Sequence, residues 1–143
     1  MRVVVQRVKE ASVSVDGNTV GSIGAGFLLF AGFTHDDTEA ECDRIAKKIG
    51  GLRIFSDEND KINLSLADVG GQILCISQFT LYADCTHGNR PSFVNAMRPD
   101  EAERLYGYCC GRLSDYAHTE QGIFGADMKV SLLNDGPFTV IIE

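Results

Sequence analysis

A chain of 143 residues, 44% of them hydrophobic, can bury one sizeable core and is too short for two ordinary domains. Its net charge of −7 argues against broad nucleic-acid binding, which rests on many Lys and Arg neutralising phosphates, so any RNA contact is expected to be small, local and shape-based. No stretch approaches the roughly 20 apolar residues that cross a bilayer, and Met1-Arg2-Val3-Val4-Val5-Gln6-Arg7 lacks the apolar segment and cleavage site of a signal peptide, so a cytoplasmic enzyme or binding module is expected.

In chain order, Met1 to Val8 and Ala11 to Val15 alternate apolar and polar residues and read as two strands. Asp16-Gly17-Asn18 is a turn signal leading to a third strand, Thr19 to Ile23, and Gly24-Ala25-Gly26 opens a buried fourth, running to Phe33. A helix follows at Asp37 to Ile49, with Cys42, Ile45, Ala46 and Ile49 on one face, acidic residues at its start and Lys47 and Lys48 near its end. Leu52 to Phe55 is a short extended piece, Ser56 to Lys61 a polar loop, and Gln72 to Phe79 a strong strand.

A long loop, Tyr82 to Arg98, precedes a second helix from Pro99 to Tyr116, with Pro99 at its first position and Ala102, Leu105, Cys109 and Leu113 facing inward. Gly107 and Gly111 weaken that helix and are expected to mark close packing against a neighbour. The C-terminal part reads as two strands, Ala126 to Leu133 and Phe138 to Glu143, around the turn Asn134-Asp135-Gly136-Pro137. The expected fold is therefore one α+β domain over residues 1–143: an antiparallel-rich, barrel-like sheet with two packed helices.

The five cysteines are odd in number, form no C-x-x-C and include an adjacent pair, which fits reduced, packed thiols rather than a disulfide framework or zinc site. His35, His87 and His118 are far apart, so neither metal nor cofactor is expected.

Three segments carry polar groups in places suited to chemistry: Ser77-Gln78-Phe79-Thr80-Leu81 at a strand end, Gly88-Asn89-Arg90-Pro91-Ser92-Phe93 in the long loop, and Asn134 to Thr139. Each also has a plain structural reading: strand-end hydroxyls, a surface charge at Arg90, an ordinary turn at Gly136-Pro137. No Ser-His-Asp arrangement or G-x-S-x-G elbow is present, so spacing alone names no reaction.

Taken together and in order, the motifs resemble the D-aminoacyl-tRNA deacylase family, also called D-tyrosyl-tRNA deacylases, along the whole chain. The resemblance rests on Val5-Gln6-Arg7-Val8 with Ala11-Ser12-Val13, Arg53-Ile54-Phe55, Ser77 to Leu81, Asn89 to Phe93, Phe124-Gly125-Ala126-Asp127-Met128 and Asn134 to Pro137. Two positions depart from the family pattern. Phe138 stands where Val is common, a change expected to be tolerated, and His87 stands where a basic residue often precedes the Gly-Asn-Arg-Pro run.

The resemblance implies a homodimer that hydrolyses the ester joining a D-amino acid to the terminal adenosine of tRNA. It implies a cis Gly136-Pro137 bond, a geometry accessible before proline at about 0.5–1 kcal/mol. In the family this motif enters the partner's site, where its carbonyl oxygens hold the substrate's α-ammonium group and leave no room for an L side chain; glycine would not be fully excluded. Ser77 and Gln78 would help form that substrate site.

The backbone N–H groups of Phe79 and Thr80 are the candidates for stabilising the oxyanion, with the tRNA's own 2′-OH assisting. Met128 and Phe79 are candidates for lining the adenosine pocket, and Arg90 for holding the loop or meeting phosphate. The expected partner is the acceptor end of tRNA, with neither a membrane nor DNA. Two alternatives stay open: a hydrolase with Thr80 as nucleophile, which needs a base that is not evident nearby in sequence unless His87 folds close, and a non-enzymatic RNA-binding domain.

Overall fold

The computed structural model describes residues 1–143. Strand β1, Arg2–Val15, is continuous through Lys9-Glu10 rather than broken into two. It turns at Asp16-Gly17, both with positive φ, and pairs antiparallel along the returning chain, first with β2, Asn18–Ile23, and then with β3, Gly26–Gly32.

Strand β3 pairs in parallel with β6, Gln72–Ser77, and β6 in parallel with β7, Thr119–Gln121, so the sheet is mixed rather than antiparallel throughout. Gly21 of β2 approaches the Gln121 carbonyl so closely that a β-carbon on it would lie 3.0 Å from that oxygen. That contact brings the two ends of the curved sheet together and makes it barrel-like.

The two expected C-terminal strands form one, β8, Lys129–Ile142, antiparallel to β1 along almost its whole length. A hairpin would have sent the second half back along the first; here both halves run the same way. The expected turn at Asn134-Asp135-Gly136-Pro137 is thus a bulge within a strand, spanning Asp135 to Phe138, rather than a turn between two.

Helix α1, Glu39–Gly50, and helix α3, Pro99–Leu113, cover one face of the sheet through the expected stripes, widened on α3 by Tyr106 and Cys110. A third helix joins the expected two. The single-turn α2, Leu66–Val69, starts at a reciprocal cap between Ser65 and Asp68 and ends at Gly70 in the left-handed conformation. Strands β4, Phe55–Ser56, and β5, Ile62–Leu64, form a separate two-stranded ribbon.

The larger core cluster lies between the helices and the sheet, and a smaller one, including Val8, Leu28, Leu74 and Ile76, fills the barrel. All five cysteines are free; four are buried and Cys85 is exposed. Hydrogen bonding to Cys42, with burial, pushes the Cys109 thiol up, keeping it protonated and inert. Side chains at Gly107 and Gly111 would meet open space, so close packing does not explain these glycines.

The tightest backbone approach is at Gly26, where φ is +156° and a β-carbon would overlap the Gln72 backbone. Changing Gly26 to alanine should therefore cost at least about 3 kcal/mol, from combined strain and forced separation of β3 from β6. Urea unfolding would read this as a lower midpoint, and a loss under about 1 kcal/mol would contradict the packing described.

Candidate active site

At the end of β6 the chain leaves the sheet abruptly. Ser77, half-buried, is the last strand residue, and Gln78 takes φ −145° and ψ 83°. Residues Phe79–Tyr82 then form one turn of 3₁₀-helix. The Gln78 N–H still bonds to the sheet, donating to Ala31 O at 2.8 Å. The first N–H to bond back within the turn is that of Leu81, to Gln78 O at 3.3 Å. The N–H groups of Phe79 and Thr80 therefore have no partner inside the turn.

Two features fix this turn. Gly32 lies against it, so that a β-carbon there would sit 2.8 Å from Gln78 O. Arg2 donates from Nη1 to Leu81 O at 2.6 Å and stacks over the Tyr82 ring at 5.1 Å. The Gln78 side-chain amide donates to the Thr80 hydroxyl. That hydroxyl is thus engaged by an amide, while His87 lies exposed further along the loop.

Phe79 is 54% exposed and meets Phe93, 41% exposed, edge-to-face at 5.1 Å. This pair brings the Gly88–Phe93 run of the long loop to the turn. The loop itself is pinched by mutual backbone bonds between Asp84 and Ser92, at 2.8 and 2.9 Å. Hydrogen bonds from the Thr86 hydroxyl and backbone N–H hold the Asp84 carboxyl below its ordinary range. Arg90 projects from within that loop and is exposed.

On the other side, Met128 packs beside Gly122 and the inner cluster that holds Ile76. Since Gly122 N–H bonds to Cys75 O at 3.2 Å, Met128 borders the same strand end. Ser77, Gln78, Phe79 and Thr80 thus follow one another at this strand end, and Met128 packs against the cluster holding Ile76, the residue just before them.

Gly136 and Pro137 do not join them within one chain. Their peptide bond is cis, and Gly136 has φ +148°. The β1–β8 pairing passes from Val8↔Asn134 to Gln6↔Thr139, so Asp135 to Phe138 stand opposite Arg7 alone and must protrude. Ser77 aligns with Ala31, Ala31 with Val3, and Val3 with Ile142. Three strand spacings and four residues along β1 separate the motifs, roughly 20 Å along the sheet.

Arg7 anchors the protrusion, a role for which its sequence context offers no local signal. Its Nε donates to Asp135 O at 2.8 Å, its Nη1 to Ile54 O at 2.6 Å, and its guanidinium lies 4.8 Å from the centre of the Phe138 ring. Asn134 Oδ1 accepts from Phe138 N–H at 2.7 Å. The unusual Phe138 packs half-buried against the main core.

A family model described as D-Tyr-tRNA(Tyr) deacylase matches residues 4–143. The chain belongs to that family. A D-aminoacyl-tRNA deacylase of Bacillus cytotoxicus is 58% identical over 144 residues, covering 100% of this chain and 99% of that protein. One from Bacillus cereus is 56% identical with the same coverage.

Among solved structures, one titled c-Myc DNA Unwinding Element Binding Protein has a TM-score of 0.94 at 39% identity, covering 100% of this chain and 98% of that one. Another, described as a probable eukaryotic D-amino acid tRNA deacylase, has a TM-score of 0.85 at 18% identity, covering 99% and 97%; at that identity it speaks to the fold alone. The expectations of family, of an α+β barrel-like fold and of a D-aminoacyl-tRNA deacylase, a hydrolase, are met at that level. No helix of this family member is long and apolar enough to cross a membrane.

Proposed function

We propose that this protein works as a homodimer that removes D-amino acids, and glycine, from the acceptor end of tRNA in the cytoplasm, through a site built from backbone. The observation that carries this reading is the separation of two motifs in one chain: an open turn at Phe79–Tyr82 and a rigid protrusion at Gly136-Pro137 roughly 20 Å away along the sheet. A second copy supplies the missing half. Strand β8 leaves one edge unpaired and exposes Leu132, Leu133 and Ile141, surface that a partner would cover.

In the dimer, the Gly136 and Pro137 carbonyls of one subunit receive the substrate's α-ammonium group beside the Ser77–Thr80 segment of the other. The wall they form fills the space an L side chain needs, while a D side chain points outward. Glycine carries nothing to reject. Since no group reads the side chain, many D-amino acids are accepted.

Water adds to the ester carbonyl carbon, and the carbonyl oxygen becomes an oxyanion facing the N–H groups of Phe79 and Thr80. Collapse breaks the bond to the ribose 3′ oxygen. That oxygen takes up the proton lost by water, relayed by the neighbouring 2′-OH. The exposed Phe79 and nearby Met128 give the terminal adenine an apolar and aromatic surface.

The deciding experiment is incubation with D-tyrosyl-tRNA and L-tyrosyl-tRNA. Release of D-tyrosine at least about 100-fold faster than L-tyrosine is expected, about 3 kcal/mol of discrimination by exclusion. Equal release would remove the chiral filter, and release of neither would remove the enzyme.

A further inference from the structure

Four of the chain's 13 basic residues, Arg44, Lys47, Lys48 and Arg53, line one open concavity of about 730 Å³. In a chain of net charge −7 this is a local reversal of sign. The concavity is connected to both site motifs, each through one arginine. Arg2 bonds to Leu81 O of the 3₁₀ turn and pairs with Glu143, whose backbone oxygen accepts from Arg44 Nη1 at 3.3 Å. Arg7 bonds to Asp135 O, next to Gly136, and to Ile54 O, next to Arg53.

The acidic groups at its rim are already engaged: Glu143 with Arg2, and Glu41 with Arg44 at 2.8 Å. The C-terminal end of α1, which also opens here, would repel an anion on its own. Lys47 and Lys48 in its last turn reverse that field. Their side chains need no protein partner to do so and remain available to an anion outside.

We propose that this concavity holds the phosphodiester backbone of the substrate tRNA beyond its terminal adenosine. The inference rests on the deacylase reading above. It identifies where a protein acidic overall can grip RNA: a short basic surface adjoining the reaction site, in place of a broad footprint.

The test pairs full D-tyrosyl-tRNA with the D-tyrosyl ester of adenosine, which has no phosphodiester backbone. The two double variants are Lys47→Glu with Lys48→Glu, and the milder Lys47→Gln with Lys48→Gln. On tRNA, the charge-reversed variant should raise KM about tenfold at about 0.1 M salt with kcat within twofold. In the glutamine pair, the slope of log kcat/KM against log salt should become shallower by about 1.5. Hydrolysis of the adenosine ester should stay at the parent rate in both.

Unchanged KM and salt slope on tRNA, with the parent protein active, would overturn the docking surface and leave the deacylase reading standing. Equal losses on tRNA and on the adenosine ester would also overturn it, because the lysines would then be acting through the fold. A parent protein that cleaves neither substrate would bring down the deacylase reading, and this inference with it.

Discussion

Alanine at Gly136 is expected to lower kcat/KM on D-tyrosyl-tRNA by about 100-fold or more, the scale set by displacing a positioning group by about 1 Å. At φ +148° an L side chain is strained, and its β-carbon would lie 2.8 Å from the Phe138 nitrogen and 3.2 Å from Arg7 Nη2. Neither neighbour can yield cheaply. Phe138 N–H is held by Asn134, and Arg7 spans Asp135 and Ile54.

The tip of the protrusion must move instead, and with it the carbonyls proposed to receive the α-ammonium group. Gly136 itself is exposed, so the thermal midpoint should fall far less than activity does. A variant that keeps kcat/KM within about threefold, with its preference for D over L intact, would show that Gly136 is only a bulge residue.

That bulge also marks where the sequence was legible and where it was not. Asn-Asp-Gly-Pro has the chemistry of a turn, and local chemistry is all that a window of residues contains. Whether the chain turns back or bulges outward depends on continued pairing with β1, more than a hundred residues earlier. The same holds for β7, whose three residues become a strand only by lying beside β6.

Periodic elements were readable because their cause is local. The stripes of α1 and α3 and the apolar run of β3 fall where their spacing puts them. The short α2 had a local signal as well, since Ser65-Leu66-Ala67-Asp68 fits a capping box, but one turn shows no period. Lys9-Glu10 suggested a break in β1, but β8 alone carries the strand across it, from Val8↔Asn134 to Glu10↔Leu133.

At the site, the Ser77–Thr80 segment was visible as a polar strand end, while its meaning came from resemblance. The work of Arg7 and Arg2, each bracing a distant backbone carbonyl, is visible only in three dimensions.

The second large effect concerns the substrate rather than the protein. A D-tyrosyl-tRNA ending in 2′-deoxyadenosine is expected to react at least about 100-fold more slowly, the usual contribution of a positioned proton-transfer group. Changing Thr80 to alanine should cost no more than about fivefold, because it removes a hydroxyl and keeps the backbone N–H proposed to face the oxyanion. The structure supplies the asymmetry. The Thr80 hydroxyl is engaged by the Gln78 amide, which cannot take a proton from it, and a threonine nucleophile needs a base that can.

Because the amide cannot serve as that base, the neighbouring hydroxyl on the substrate is the group proposed to move the proton. If Thr80→Ala abolished activity while the deoxy substrate reacted normally, the reaction would run through a threonyl ester. Single-turnover experiments would then detect radiolabelled D-tyrosine bound covalently to the parent protein. The backbone account requires the opposite pair of results, and neither substitution disturbs the Arg2 and Gly32 contacts that hold the turn.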